Sequence, residues 1–195
     1  MSYSECVDYI RSDYYRITGR RQDNMLRMWM AGILDVGFRF LFWWRLSKCS
    51  NILVGGAGRL FSRWINVRHK ISIERDAEIG YGFRIVHGGP VVINCSAVIG
   101  DNVDFYQFST IGSMFLHAAH IGNDVYIGPS VCIVEDVTIG DGATIGAGAV
   151  VVKDVEAGVT VAGNPAHVIS RKEPGRLIFH KWDRSMNFLQ NSSKR

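Results

Sequence analysis

The feature that most constrains this chain is a six-residue repeat in its second half. In the stretch IGNDVYIGPSVCIVEDVTIGDGATIGAGAV, which covers residues 121–150, isoleucine stands at positions 121, 127, 133, 139 and 145 with no member missing. A helix repeats near 3.6 residues and a half-buried strand repeats at 2, so a strict period of six fits neither. A short fixed repeat indicates a solenoid, in which each unit buries its apolar face only by stacking on its neighbours.

The repeat extends towards the N-terminus with two interruptions. Counting back from Ile121 gives further apolar residues at Ile73, Ile79, Ile85, Ile93, Ile99, Phe105 and Ile111. The longer steps from Ile85 to Ile93 and from Ile111 to Ile121 indicate insertions of two and four residues. Three hexads would make a coil of about 18 residues with three flat faces, and successive coils would pair as parallel strands. The sequence therefore predicts a mainly β fold, a parallel β-helix over residues 71–169.

The segments on either side of the repeat have a different character. Residues 1–70 contain no hexad, and MLRMWMAGILDVGFRFLFWWRL reads as part of an amphipathic pair of helices. We expect an N-terminal α-helical subdomain that caps the open end of the coils or forms an oligomer contact. The tryptophans beside arginines in this segment leave a second interpretation open, peripheral contact with a membrane surface. Residues 170–195 read as a basic C-terminal tail.

Charge and composition narrow the classes of partner and compartment. Residues 1–70 carry 12 basic and 5 acidic side chains, residues 71–166 carry 3 and 11, and residues 167–195 carry 7 and 2. The acidic repeat argues against a nucleic-acid surface, whereas the basic flanks suit a phosphorylated ligand or lipid phosphate. The chain has no run of eighteen apolar residues and no secretory signal pattern, and its four cysteines are scattered. We therefore expect a cytoplasmic protein with free thiols and no disulfide framework.

The repeat resembles that of the hexapeptide-repeat acyltransferases, and details point to their serine O-acetyltransferase-like branch. HGGPVVIN at 87–94, followed by SAVIGDNVDFYQFSTIG, is similar to a family stretch that runs His-x-x-Gly, an apolar pair, a Gly-Asp-Asn-Val coil and Gln-x-x-Thr-Ile-Gly. GFRFLFWWR looks like part of the helical region of serine O-acetyltransferases. The resemblance implies a left-handed β-helix and a homotrimer, with a dimer of trimers as a further option.

The same resemblance implies an acceptor site around one histidine. His87 takes the place of the catalytic histidine and would act as general base, since imidazole can accept a hydroxyl proton at neutral pH. The position of a second family histidine corresponds to Ala118, so His117 is the candidate substitute and His120 stays open. For the acceptor, the candidates are Gln107 and Asp23, with Asp13 as the alternative carboxylate.

One departure from the serine branch bears on the acceptor. The aspartate that precedes the catalytic histidine in serine O-acetyltransferases is replaced here by Val86. A sugar O-acetyltransferase of surface-polysaccharide biosynthesis is therefore the alternative to transfer to L-serine.

The resemblance also implies that acetyl-coenzyme A is the acyl donor. Its pantetheine arm would run along the coils between neighbouring subunits, past Ser113, Pro129 and Ala147. Pro165 lies in AGNPAHVI, which matches the Gly-x-Pro-Ala sequence that ends the repeat in this family. Lys153 and Arg171 would meet the nucleotide phosphates.

Three less favoured mechanisms stay open at this point. Cys95 or Cys132 could carry a covalent acyl group, although both fall within repeat coils. A metal hydratase of the γ-carbonic anhydrase type would use His87, His117 and His120 as zinc ligands, but its arginine-rich opening motif is missing. A scaffold without catalysis is the third. We expect no metal.

Overall fold

The computed structural model describes residues 1–115 and 117–187, and its N-terminal part is helical. The helices are α1 (Tyr3–Thr18), α2 (Met25–Leu34), α3 (Val36–Ser47) and α4 (Ile52–His69). The sequence predicted a pair of helices, and the structure divides the segment into four. One reason is Asp35, which ends α2 in an extended conformation and accepts a hydrogen bond from the Phe38 N–H to begin α3 in a new direction.

Short strands occupy the rest of the fold. They are β1 (Ile71–Ile73), β2 (Glu78–Ile79), β3 (Arg84–Val86), β4 (Val91–Ile93), β5 (Val98–Ile99), β6 (Asp104–Tyr106), β7 (Thr110–Gly112), β8 (His120–Ile121), β9 (Tyr126–Ile127), β10 (Cys132–Val134), β11 (Thr138–Ile139), β12 (Thr144–Ile145), β13 (Val150–Val151), β14 (Thr160–Ala162) and β15 (His167–Ser170). They form three sheets, which we call A (β1-β4-β7-β10-β13), B (β2-β5-β8-β11) and C (β3-β6-β9-β12-β14-β15). Each coil contributes one strand to each sheet, which confirms the predicted parallel β-solenoid.

The strand register shows where the coils lengthen. Ile121 pairs with Ile139 one regular coil of 18 residues later. Ile79 pairs with Ile99 after 20 residues, and Ile99 with Ile121 after 22. The two insertions inferred from the sequence are therefore accommodated as longer corners, and the paired strands stay in register.

The predicted interior positions form the core. The isoleucines at 121, 127, 133, 139 and 145 are all buried in one cluster that runs the length of the solenoid. Phe40, Leu41, Trp44 and Ile65 from α3 and α4 join the same cluster. The helices therefore cover the end of the solenoid at its first coil; their role in oligomer contact stays a prediction.

Buried ion pairs also join the helices to the coils. Arg45 in α3 makes two hydrogen bonds to the Asp13 carboxylate of α1, at 2.9 and 3.1 Å, and donates to the carbonyl of Ile79 at 2.7 Å. Arg16 of α1 donates to the Asp104 carboxylate on β6. A buried charge that lost its partner here would be strongly destabilising, so these contacts hold the helices in one position.

The C-terminal segment returns along the corner between sheets B and C. β15 pairs antiparallel with β14, and the chain then runs back to contact Asp124, Asn102 and Asp101 in turn. It ends in a short 3-10 helix at Arg184–Asn187. The predicted tail is thus packed on the acidic coils as far as this helix, and its remainder, residues 188–195, lies outside the described residues.

A bilayer could not be crossed by any helix in residues 1–115 and 117–187, because none combines the necessary length with the necessary hydrophobicity.

Candidate active site

His87 lies at the corner between sheets C and A, directly after β3. Its side chain is exposed, and its backbone adopts φ 64°, a left-handed conformation that is uncommon outside glycine. Gly88 follows at φ 56°. Two consecutive left-handed residues account for the tight turn, and they fall in the corner that carries the two-residue insertion.

Close packing holds this corner in place from both sides. A Cβ atom on Gly88 would lie 2.7 Å from Cβ of Val36, and one on Gly89 would lie 2.7 Å from Cβ of Gln107. At Gly37, the second residue of α3, a Cβ would approach the Ile85 carbonyl oxygen to 2.3 Å. The start of α3 is thus pressed against β3 and its corner, which positions the backbone of His87.

The surroundings of the His87 ring are aromatic. The ring of Tyr106 stands edge to face with it at a centroid distance of 5.8 Å, and Tyr106 contacts Tyr126 at 4.9 Å. Burial, followed by the proximity of Tyr106, raises the pKa of Tyr126 to about 12. Within the described residues no side chain hydrogen-bonds the imidazole, so both ring nitrogens can meet a ligand.

Sequence reasoning missed Tyr106. Val86 pairs with Tyr106 across sheet C, 20 residues along. Counting one lengthened coil forward from Val86 would have found it.

Four other predicted residues continue the corner of His87 along the solenoid, one from each successive coil: Gln107, Pro129, Ala147 and Pro165. Backbone bonds link the coils here, from Ser130 N–H to the Gln107 carbonyl at 3.0 Å and from Gly148 N–H to the Pro129 carbonyl at 2.9 Å. The amide oxygen of Gln107 is buried without a hydrogen-bond partner. We call this line of residues the C–A corner.

The second predicted histidine lies elsewhere. His117 is exposed in the four-residue insertion between β7 and β8, at the corner between sheets A and B. Its backbone N–H donates to the Ser113 hydroxyl at 3.1 Å, and that hydroxyl donates to the Glu135 carboxylate at 3.0 Å. Leu116 lies outside the described residues. Since sheet A separates the two corners, the structure does not bring His87 and His117 together within one chain.

The remaining predicted residues are spread over other parts of the fold. Lys153 is exposed at the corner between sheets A and B, and Arg171 lies after β15, where it forms an ion pair with Glu156. Asp23, in the loop after α1, forms an ion pair with Arg11 at 3.2 Å. These contacts do not join any of them to the C–A corner.

The alternative carboxylate has a structural contact. Asp13 is fully buried, bonded to Arg45, and accepts the Phe83 N–H at 2.9 Å. Its oxygens are committed to the junction between helices and coils. The sequence gave no indication of this pairing, because the partners lie far apart along the chain.

The proposed zinc ligands are also separated. His120 is exposed on β8, in sheet B, whereas His87 lies at the C–A corner. Over the part of the chain that is described, no three histidine, cysteine or acidic side chains cluster as metal ligands would.

A scan of family models matches residues 118–153 to the bacterial transferase hexapeptide repeat (six repeats). Among curated proteins, the chain is 44% identical over 110 residues to serine acetyltransferase 1, chloroplastic, of Arabidopsis thaliana, a match that covers 54% of this chain and 35% of that protein. It is 34% identical over 131 residues to a serine acetyltransferase of Staphylococcus epidermidis, with 65% and 61% covered. The chain thus spans between about a third and three fifths of these two relatives.

Solved structures give the same result for the fold. The serine acetyltransferase of Neisseria gonorrhoeae in complex with serine superposes with a TM-score of 0.71 at 25% identity, over 86% of this chain and 70% of that one. These matches confirm the predicted resemblance. The chain carries the hexapeptide repeat of bacterial transferases and is similar in sequence and in fold to the serine acetyltransferases.

Proposed function

We propose that this protein is an acetyl-coenzyme A-dependent O-acetyltransferase and that its acceptor is the hydroxyl of L-serine. The similarity to serine acetyltransferases supports the reaction class and the acceptor. The observation that carries the proposal is the exposed His87, held by close packing at the C–A corner with both ring nitrogens open to a ligand.

In the reaction we propose, His87 acts as general base. One ring nitrogen takes the proton of the acceptor hydroxyl as its oxygen attacks the thioester carbonyl of acetyl-coenzyme A. The tetrahedral intermediate then loses the coenzyme A thiolate, which receives the proton from the imidazolium. Main-chain N–H groups would stabilise the oxyanion. The Tyr106 ring would limit the rotation of the imidazole.

For the donor, we propose that the pantetheine arm lies along the C–A corner. Pro129, Ala147 and Pro165 offer little side-chain bulk there, so an extended chain can lie close to the backbone. Lys153 and Arg171 remain the proposed contacts for the nucleotide phosphates.

The assembly we propose is a homotrimer, because His87 and His117 lie at opposite edges of sheet A and can share a site only if they come from different chains. Ser113 would then reach the donor from the neighbouring subunit. We place the protein in the cytoplasm.

A sugar hydroxyl is the second candidate acceptor, and two observations favour it. Val86 stands where the serine branch has an aspartate beside the catalytic histidine, and it is buried. Asp13, one of the two candidates for contacting the amino group of serine, is committed to Arg45. Asp23 is then the remaining candidate for that contact.

An assay of thiol release from acetyl-coenzyme A tests the proposal. We expect release with L-serine and a loss of at least a hundredfold in His87→Ala, since general-base catalysis contributes about 10²–10⁴-fold. His180→Ala, which removes another exposed histidine, is the matched control. Release with nucleotide sugars and none with L-serine would support the second acceptor. Release unchanged in His87→Ala, or none with any acceptor, would contradict both.

A further inference from the structure

A pocket separate from the C–A corner lies where α3 and α4 meet the first coil. Its volume is about 340 Å³, and it is lined by Phe40, Trp44, Ser47, Arg59, Ser62, Arg63, Asn66, Ile73 and Arg75. The pocket forms beside a close helix crossing, because a Cβ on Gly58 of α4 would lie 2.4 Å from the Ser47 nitrogen of α3. Pockets of this size commonly hold a small metabolite.

Three arginines give the pocket a positive charge. Arg59 and Arg63 lie four residues apart on α4, and Arg75 lies at the first corner between sheets A and B. None of the three forms an ion pair within the described residues, and no carboxylate lines the pocket. Guanidinium groups match the geometry of phosphate oxygens and bind them with two parallel hydrogen bonds.

An unpartnered donor provides a second, independent observation. Trp44 is only 2% exposed, and its indole nitrogen is buried with no hydrogen-bond partner. A buried N–H without an acceptor is costly, so the position favours a ligand that brings one. The hydroxyls of Ser47 and Ser62 donate to carbonyls within their own helices and leave the indole unsatisfied.

We propose that this pocket binds a small molecule that carries a phosphate group. Arg59, Arg63 and Arg75 bind the phosphate, and the Trp44 N–H donates to an oxygen of the ligand. The rings of Phe40 and Trp44, with Ile73, form an apolar surface for the rest of the ligand. The site does not depend on the proposed acetyl transfer, because it shares no residue with the C–A corner.

Titration of the full chain with inorganic phosphate and with AMP, followed by isothermal calorimetry, tests the proposal. We expect saturable binding that weakens about tenfold or more in Arg63→Gln and in Arg59→Gln, since one charged hydrogen bond contributes that much. Trp44→Phe keeps the aromatic ring and removes the N–H, and it should weaken AMP binding by about fivefold. Circular dichroism establishes that each variant is folded.

The matched control is Arg68→Gln, which removes an exposed arginine of α4 that does not line the pocket. Equal weakening in Arg68→Gln and Arg63→Gln would reduce the effect to general charge attraction and overturn the proposal. Absence of saturable binding of either probe, together with absence of vesicle binding, would overturn it as well.

Vesicles identify the source of the phosphate. Phosphatidylcholine vesicles with and without phosphatidic acid are sedimented with the protein in the presence and absence of AMP. Binding that needs phosphatidic acid, is lost in Arg63→Gln and resists AMP assigns the pocket to a lipid headgroup. AMP binding without vesicle binding assigns it to a soluble phosphate ester. The acetyl-transfer assay on Arg63→Gln should match the wild type, so failure of this proposal and failure of the proposed function are distinguishable.

Discussion

At the residue scale, Gly37 sets how closely α3 approaches the first coil. The Ile85 carbonyl oxygen lies 2.3 Å from the place that a Cβ would occupy, and backbone atoms cannot yield as a side chain can. We expect Gly37→Ala to lower the free energy of unfolding by about 1–3 kcal/mol, the usual effect of overpacking. Urea denaturation measures this. Gly56→Ala, on a helix position with open space around it, should instead be neutral or stabilise by up to ~1 kcal/mol.

Lys48 makes stability depend on pH. Its ammonium lies 4.3 Å from the centre of the Trp44 ring, and burial lowers the pKa of Lys48 from 10.5 to about 8. Between these values the unfolded chain keeps the proton that the folded chain has lost. Since the unfolded state binds more protons there, the contribution of Lys48 to the free energy of unfolding rises from pH 8 to pH 10.5.

The measurement is the difference in unfolding free energy between wild type and Lys48→Met at several pH values. We expect this difference to move in favour of the wild type as the pH rises through that window. Lys172→Met, at an exposed lysine, controls for the loss of one surface charge. A difference that stays constant or moves the other way would contradict the assignment.

Single residues differ in how far the sequence predicts them. The buried isoleucines follow from counting by six, because every coil repeats the same inward position. The partner of His87 could not be read from the repeat alone, since the contact with Tyr106 depends on the length of a coil that contains an insertion. The pairing of Asp13 with Arg45 is a contact between helices, which no period encodes.

At the scale of elements, the C-terminal segment contributes to stability through one reciprocal contact. The Trp182 N–H donates to the side-chain oxygen of Asn102 at 2.7 Å, and the Asn102 amide donates back to the Trp182 carbonyl at 3.1 Å. The indole ring is 6% exposed and packs against Tyr15 of α1. This segment therefore connects the acidic coils to the first helix.

We expect Trp182→Ala to cost about 3–5 kcal/mol of unfolding free energy, as for other buried tryptophans. Thermal denaturation checks this result. Phe179→Ala, three residues earlier at a side chain that is 63% exposed, should change stability by less than about 0.5 kcal/mol. Similar small effects for both variants would mean that the segment is only loosely attached.

Elements were predicted well where a repeat defines them and less well elsewhere. The strands and both insertions follow from the hexads, and paired strands stay in register across each insertion. The helical segment was predicted as two helices because its apolar pattern continues through Asp35, whose carboxylate caps α3 and restarts the helix. The packing of the tail on the coils involves single polar contacts, which composition does not reveal.

At the scale of the whole molecule, charge segregation along the sequence is partly neutralised by folding. Lys181 pairs with Asp124 at 3.0 Å, and Arg184 pairs with Asp101 at 2.6 Å, so the basic tail is held against the acidic coils. The basic helical region keeps Arg59, Arg63 and Arg75 for the pocket. The number of coils could be predicted from one chain, whereas the assembly of chains depends on surfaces that the repeat does not distinguish.

The proposed trimer predicts that two inactive variants restore activity when they are combined. If each site takes His87 from one subunit and His117 from the next, then His87→Ala and His117→Ala both abolish acetyl transfer in homotrimers. In mixed trimers formed by joint refolding at equal amounts, about a quarter of the sites would carry both histidines, because the two positions are filled independently in a cyclic assembly. Thiol release measures the recovery, and differently tagged chains establish that mixing has occurred. Mixed trimers without recovered activity would place both groups in one chain or remove His117 from the reaction.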